Sequence, residues 1–493
     1  MNDFPSQNQG ATGTRTEPSG VSTAKSLVLS FLKYAGRKAW IYFVITVLLG
    51  LTEGVGLLML IPLLHLIGFY EGGKSDQASL LVKAFFDMTG LPLTLATILC
   101  IYIAIVSVHT LASRYQEVLN ARLSLGYTRF MQDRLYRTFA RVDWLCLAQM
   151  RGTDVVRVLT NDLLRVGFAT GKLLELIAIV VLTLIYLVVV LSVSSLMTLL
   201  VLASITVILL FLQRYNRQAH SMGEAYQTAM ENLYIQASEH LSGVKIAKSY
   251  GLESEFIKRF SATTAQIAVQ GISFLEVDAV TQMYHRIGAA IALSAFFYIG
   301  TKLIVIQPSS LLLVVFVFAR LSPKISLVQH YSQFIGNSLP AYRATTLLQE
   351  RFAEAQESPL PSLVQPLKLG TDIRLSQVSF SYDGNGEGHA LFKTDLVIRA
   401  QSTVAVVGPS GGGKSTLADL IMGLLVPNEG TILIDGRPLT GDLIYRWRGS
   451  IGYVPQETFL FHETIRGNLL LVRPGAAEEE LWAALRHAAP TPS

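Results

Sequence analysis

Long apolar stretches alternate with long charged ones over the first two thirds of the chain. The last third switches to short apolar runs broken by glycine. Mostly apolar runs occupy Trp40–Leu66, Leu93–Leu111, Leu173–Leu191, Leu196–Leu212, Ile287–Ile306 and Leu311–Leu327. A helix needs roughly 20 apolar residues to cross a bilayer, so the pattern predicts about six spanning helices. The third and fourth are joined by a very short turn at Ser192–Ser195. Residues 1–24 are polar, rich in Ser, Thr, Gly and Asn, and read as a disordered tail without the apolar core of a signal peptide. Residues 25–349 then form the membrane domain, 350–370 a linker rich in Pro, Ser and Glu, and 371–493 a soluble α/β segment.

Charge orients this pattern. Between the first and second runs Glu71, Lys74, Asp76, Lys83 and Asp87 are roughly balanced. Between the second and third lie Arg114, Arg122, Arg129, Arg134, Arg137, Arg141, Arg151, Arg157 and Arg165, and between the fourth and fifth Arg214, Arg217, Lys245, Lys248, Lys258 and Arg259. Lys33–Lys38 add a basic collar before the first. Basic loops stay on the cytoplasmic side. The N-terminus and both long loops are therefore expected in the cytoplasm, and an even number of spans returns the C-terminus there. The two loops are too long for simple connectors. Leu145, Val155, Leu159 and Leu163, spaced by polar residues, point to helices that extend from the membrane and turn back.

Composition agrees with a multi-pass membrane protein. Charged residues are 15%, against about 25% on average, and mean hydropathy is +0.43. The net charge of +5 is explained by the collars beside apolar runs, so it does not call for nucleic acid. Cys100 and Cys146 form neither a disulfide framework nor a metal-ligand spacing. Glu53, His109, Glu175 and Arg320 fall in or at the ends of apolar runs. Glu53 and Arg320 either pair along a polar path through the bundle or serve helix packing and snorkelling. Pro323 is the expected site of a kink.

The soluble segment carries the chemistry. Gly408, Pro409, Ser410, Gly411, Gly412, Gly413, Lys414, Ser415 and Thr416 fit G-x-x-x-x-G-K-[ST], the phosphate-binding P-loop. Glycines let successive backbone N–H groups approach one anion. Lys414 reaches β- and γ-phosphates, and the Ser415 hydroxyl is suited to Mg²⁺. Thr403–Val407 before the loop reads as a buried strand and Ser415–Leu424 after it as a helix, which puts the phosphates at a helix N-terminus. Strands are also expected at Ile373–Phe380 and Leu396–Arg399, and a helix at Glu478–Ala489.

Spans with long basic cytoplasmic loops followed by a P-loop domain resemble an ABC transporter half-molecule of the exporter type. Val378–Tyr382 resembles the family's opening strand and A-loop, which implies that Tyr382 stacks on adenine. Thr431–Gly436 resembles the hairpin strand after the P-loop helix, and Ile451–Gln456 the strand leading to the Q-loop. In that motif Gln456 senses Mg²⁺ and the attacking water. Asp143–Asp154 with Leu159–Asp162 resembles the first intracellular loop and its coupling helix, and Glu239–Gly251 the approach to the second.

The resemblance implies ATP and Mg²⁺ as cofactors, with Lys414 and Gln456 in catalytic roles and Ser415 and Gln456 at the metal. It also implies a bilayer environment, taken as the bacterial inner membrane, a second half-transporter in a homo- or heterodimer, and an exported amphipathic or lipid-like substrate. These 493 residues contain no LSGGQ-type signature, Asp-Glu Walker B strand or switch histidine. Asp435 follows the P-loop too soon to be Walker B and matches the hairpin instead. The chain runs 37 residues past Gln456, and the expectation is an incomplete nucleotide domain that hydrolyses ATP poorly alone. The alternative is a non-hydrolysing subunit paired with a complete partner.

Overall fold

The structure, a computed structural model, describes residues 20–58, 90, 92, 94–150, 152–193, 195–302, 308–357, 365–383, 388–456 and 458–488. It divides into two units. One holds Met1–Val142 and Met150–Gln356, the other Asp143–Gln149 and Glu357–Ser493.

The first unit is helical. Helix α1 (Gly20–Ala35) starts inside the stretch expected to be disordered, because Leu27, Phe31 and Ala35 form a buried stripe at four-residue spacing. Residues 1–19 lie outside the described residues. Gly36, at φ +50°, sits at the break between α1 and α2 (Arg37–Leu58), and the chain bends there by 97°. The rest of the first expected span and the balanced loop through Asp87 lie outside the described residues. Helix α3 (Leu95–Phe139) follows, N-capped by the Thr94 hydroxyl. After the five-residue α4 (Trp144–Ala148) come α5 (Gly152–Arg157), a π-turn at Val158–Asp162 and α6 (Leu163–Val193). Helices α7 (Ser195–Ser242), α8 (Val244–Tyr250), α9 (Glu253–Lys302) and α10 (Pro308–Glu354) complete the unit.

Helices of 45, 48, 50 and 47 residues are far longer than a bilayer requires. At about 1.5 Å per residue each is roughly 70 Å long, more than twice the hydrocarbon core. The expected cytoplasmic extensions are thus continuous with the apolar segments. Among the described residues, two helices are long and apolar enough to cross a membrane, Leu95–Phe139 and Gly152–Leu191. The bent pair at Gly36 adds a third if it is one span. The other expected spans lie on α7, α9 and α10, with residues 303–307 outside the described set.

Four helices meet in an apolar core. Tyr186 and Val190 of α6, Met197 and Val201 of α7, Ala292 and Phe296 of α9, and Val317, Phe318 and Leu321 of α10 are all buried together. Phe296 and Phe318 meet edge to face with centroids 4.9 Å apart. Small residues set the spacing of this packing: a Cβ on Gly300 would press on Leu311 of α10 and Met197 of α7. The polar residues singled out in the apolar runs have partners. Arg320 Nη1 lies 3.9 Å from Glu53 Oε1, His109 Nδ1 is 3.0 Å from the Thr52 hydroxyl, and Glu175 pairs with Lys172 at 2.9 Å and accepts from Asn120. Pro323 lies inside α10, which continues through it.

The second unit is built on a four-stranded antiparallel sheet in the order β2-β1-β3-β4. Strand β1 (Asp372–Phe380) is central, flanked by β2 (Leu391–Arg399) and β3 (Glu429–Ile434), with β4 (Arg437–Pro438) at the edge. Helices α11 (Lys414–Ile421), α12 (Asp442–Arg448), α13 (Ile465–Val472) and α14 (Glu478–Ala488) accompany it. Ile373, Leu375, Val378 and Phe380 of β1 pack with Leu417 and Leu420 of α11, Ile432 and Ile434 of β3, and Trp447. The Trp447 indole donates to the Ile421 carbonyl at 2.7 Å, closing α12 onto the end of α11.

Two strands expected from apolar runs are absent. Thr403–Val407 and Ile451–Val454 have no strand pairing, and Val407 and Val454 are 88% and 87% exposed. An apolar run becomes a buried strand only when a neighbouring strand takes its N–H and C=O groups. Among the described residues the four paired strands leave no such neighbour for either run.

Asp435 stands at the β3–β4 turn, at φ +50° beside Gly436 at φ +75°. Its carboxylate accepts from the backbone N–H groups of Gly370 (2.8 Å), Thr371 (2.6 Å) and Asp372 (3.1 Å). It therefore closes the start of β1 onto the turn, in keeping with the hairpin reading. Those N–H groups, Gly370 first and Thr371 next, hold the Asp435 carboxyl below the ordinary aspartate range. The sign follows directly. A depressed folded-state pKa adds stability that is full above the unfolded value, about 3.9, and is lost as pH falls below it. Asp435→Asn is expected to lower the unfolding temperature of this unit at pH 7. It should also flatten the decline below about pH 4, followed by tryptophan fluorescence of the full chain; an unchanged acid limb contradicts the capping role.

Candidate functional site

The P-loop curls as its glycines dictate. Gly411 and Gly413 take φ +80° and +77°, and Gly413 caps α11. The Gly412 N–H donates to the Pro409 carbonyl at 3.1 Å, closing a tight turn. A Cβ on Gly413 would collide with the Ala390 carbonyl oxygen. Ala390 itself is anchored beside β1, since its N–H donates to the Phe380 carbonyl at 2.9 Å. The Lys414 ammonium folds back over the loop, donating to the carbonyls of Gly408 (3.0 Å) and Pro409 (2.7 Å). Its charge thus lies within the concavity that an anion would enter. Ser410 and Ser415 are exposed, whereas Thr416 is buried. A cradle of left-handed glycines, a helix N-terminus and one central cation fits the phosphates of a nucleotide.

Tyr382 is brought to this loop. Its hydroxyl lies 3.2 Å from the Thr416 hydroxyl, and its ring meets Phe380 edge to face at 5.0 Å. The next contact was not foreseen from the sequence. Helix α4, cut from the arginine-rich loop, belongs to the P-loop unit and not to the long helices on either side of it. Asp143 caps it by accepting from the Cys146 N–H at 2.7 Å, and Leu145 packs on the sheet core. Gln149 Nε2 donates to the Tyr382 carbonyl at 2.8 Å. The Trp144 indole faces Asp419 of α11. Burial raises the Asp419 carboxyl above its ordinary range, and the interaction with Trp144 offsets this in part. The resemblance of Asp143–Asp154 to an intracellular loop with a short coupling helix is met by α4, and what no sequence signal gave is its bond to Tyr382.

Gln456 stands apart from this cluster. It is exposed, after the unpaired Ile451–Val454, and among the described residues no hydrogen bond joins it to the P-loop. Residues 384–387 and Glu457 lie outside the described set.

Comparison with known proteins decides the family. Residues 41–321, more than half of the chain, match the family described as ABC transporter transmembrane region, and residues 391–491 match ABC transporter. The chain belongs to the ABC transporter family. It fuses a membrane region and an ATP-binding domain, and its general function is membrane transport. An uncharacterized ABC transporter ATP-binding protein of Bacillus subtilis is 26% identical over 431 residues, which cover 85% of this chain and 73% of the relative. The ATP-dependent lipid A-core flippase of Syntrophus aciditrophicus is 24% identical over 284 residues, 56% of this chain and 46% of the relative. A multidrug resistance ABC transporter ATP-binding and permease protein of Lactococcus lactis is 27% identical over 285 residues, 57% and 48% of the two chains.

Proposed function

We propose that this chain is one half of an ATP-driven exporter of amphipathic or lipid-like substrates. It carries six membrane spans and works with a second half-transporter, identical or not, in the bacterial inner membrane with its nucleotide domain in the cytoplasm. The observation that carries the reading is α4. A helix cut from the membrane-continuous segments groups with the P-loop unit and bonds the backbone of Tyr382, so nucleotide occupancy has a direct handle on the chain between α3 and α6. The names of the flippase and multidrug relatives support an amphipathic cargo.

Bound ATP supplies the γ-phosphoryl group whose transfer to water drives the cycle. The chain's own residues position and neutralise, which is most of what phosphoryl transfer asks of a protein. Backbone N–H groups of the P-loop, among them those of Gly411 and Gly413, would bind the phosphates, and Lys414 would leave its own loop carbonyls to neutralise them. Ser415 would hold Mg²⁺, which would neutralise charge on the phosphates; Gln456, which stands apart from the loop in this structure, would join the metal once nucleotide is bound, and Tyr382 would offer its ring to adenine. Gln149 and Trp144 keep α4 seated on the residues that respond.

Inside-out membrane vesicles from the source cells, but not from cells lacking this chain, are expected to accumulate an amphipathic fluorescent dye on addition of MgATP and not of MgADP. Equal dye signals with the two nucleotides would overturn ATP-driven export.

A further inference from the structure

Helices α2, α6 and α10 carry polar residues into apolar runs, and where they meet the charges do not balance. Glu53 of α2 faces Arg320 of α10, but their closest atoms are 3.9 Å apart, too far for a hydrogen bond. The Arg320 side chain is 58% exposed, so its guanidinium is open to a second partner. Phe316, one turn earlier on α10, lies with its ring centroid 5.5 Å from that guanidinium.

Lys324 stands one turn beyond Arg320 on the same side of α10, still within the apolar run, and is half-buried. A lysine that only snorkels sends its ammonium out to water. The Lys324 ammonium instead lies 5.9 Å from the centroid of the buried Tyr186 ring of α6. Among the described residues no carboxylate is within ion-pair distance of it. Glu175, the other carboxylate of α6, is already matched by Lys172 at 2.9 Å. Arg320 and Lys324 thus set two cations against the single carboxylate of Glu53. A cation held away from bulk water is costly until an anion neutralises it.

We propose that Arg320 and Lys324 together bind the anionic head of an acidic amphiphile, with the Phe316 ring beside its apolar body. The two neighbouring cations favour an anion over a neutral head, and Glu53 competes with that anion for Arg320. The proposal deepens the reading of the chain as an exporter of amphiphiles, and rests on it in taking the bound head as cargo. A phospholipid of the bilayer has the same head chemistry.

The test is equilibrium binding to the full chain in phosphatidylcholine nanodiscs without nucleotide, with the signal of empty discs subtracted. The probes are a pyrene-labelled decyl phosphate and the matching pyrene-labelled decanol, alike in apolar body and different in charge. The phosphate is expected to bind about tenfold more tightly. Lys324→Ala should cut that preference to about twofold, while Lys324→Arg should keep it. Lys324→Met, which retains an apolar stem, serves if the alanine variant does not fold. Glu53→Gln should tighten phosphate binding about threefold, because Arg320 loses its competing carboxylate; a merely structural pair gives no such gain. Lys302→Ala, which removes a positive charge at the far end of α9, should change nothing. Equal affinities for the two probes, a preference that survives loss of Lys324, no gain in Glu53→Gln, or an equal fall in Lys302→Ala would each overturn the proposal. Adding phosphatidylglycerol to the discs separates the two sources of the head. Retained preference for the phosphate probe supports a transported amphiphile, whereas its loss gives the site to a bilayer phospholipid and overturns the cargo assignment. No nucleotide enters the measurement, so failure of ATP-driven export would leave this result standing.

Discussion

Lys414→Ala is expected to weaken binding of a non-hydrolysable ATP analogue by about 10- to 150-fold, equivalent to about 1.5–3 kcal/mol for a charge-assisted contact. The lysine stands over the loop with its ammonium on the Gly408 and Pro409 carbonyls, and bound phosphate would take those hydrogen bonds over. Removing it leaves the cradle of N–H groups without its central charge. The fold should barely notice. The two bonds lost are local and partly solvated, worth about 0.5–1.5 kcal/mol each at most. The measurement is analogue binding to the full chain in nanodiscs, alongside its unfolding temperature. Equal affinity in wild type and variant would remove Lys414 from the site. A large fall in unfolding temperature would instead make its role structural.

Gly413→Val should damage the P-loop unit far more than Gly436→Ala, although both glycines have nearly the same φ, +77° and +75°. At Gly436 an added Cβ meets nothing within 4 Å, so the cost is the left-handed conformation alone, about 1–2 kcal/mol. At Gly413 a branched side chain adds a collision with the backbone carbonyl of Ala390, a residue anchored next to β2 by its N–H bond to the Phe380 carbonyl. Strain and displacement together should cost about 3–5 kcal/mol. Nucleotide binding should be lost with them, because Gly413 is the N-cap of the helix whose start forms the proposed phosphate site. Thermal unfolding of the two variants side by side separates the contributions. Equal losses would mean that Ala390 yields and the loop is softer than its contacts indicate.

Much of this protein is written locally. The apolar runs placed α3, α6, α7, α9 and α10, because helical backbone satisfies itself and needs only length and composition to be recognised. The P-loop was legible for the same reason: its glycines and lysine act within nine consecutive residues. The hairpin at Asp435–Gly436 was legible through the resemblance of Thr431–Gly436 to the strand that follows the P-loop helix, and the two residues do take left-handed φ there.

What failed was whatever depends on a partner distant in the chain. Thr403–Val407 has the composition of a buried strand and lies exposed, because a strand's hydrogen bonds belong to its neighbours. Asp435 does end an apolar strand as read, but nothing local shows that its carboxylate is committed to three N–H groups more than sixty residues earlier.

By itself, then, the sequence determined the helical membrane region, the α/β domain and the phosphate loop, each set by neighbours a few residues apart. Only the tertiary structure decided that α4 groups with the P-loop unit and that Gln149 holds the Tyr382 backbone. Those facts arise where helices and loops distant in sequence meet, and a one-dimensional pattern carries no record of such meetings.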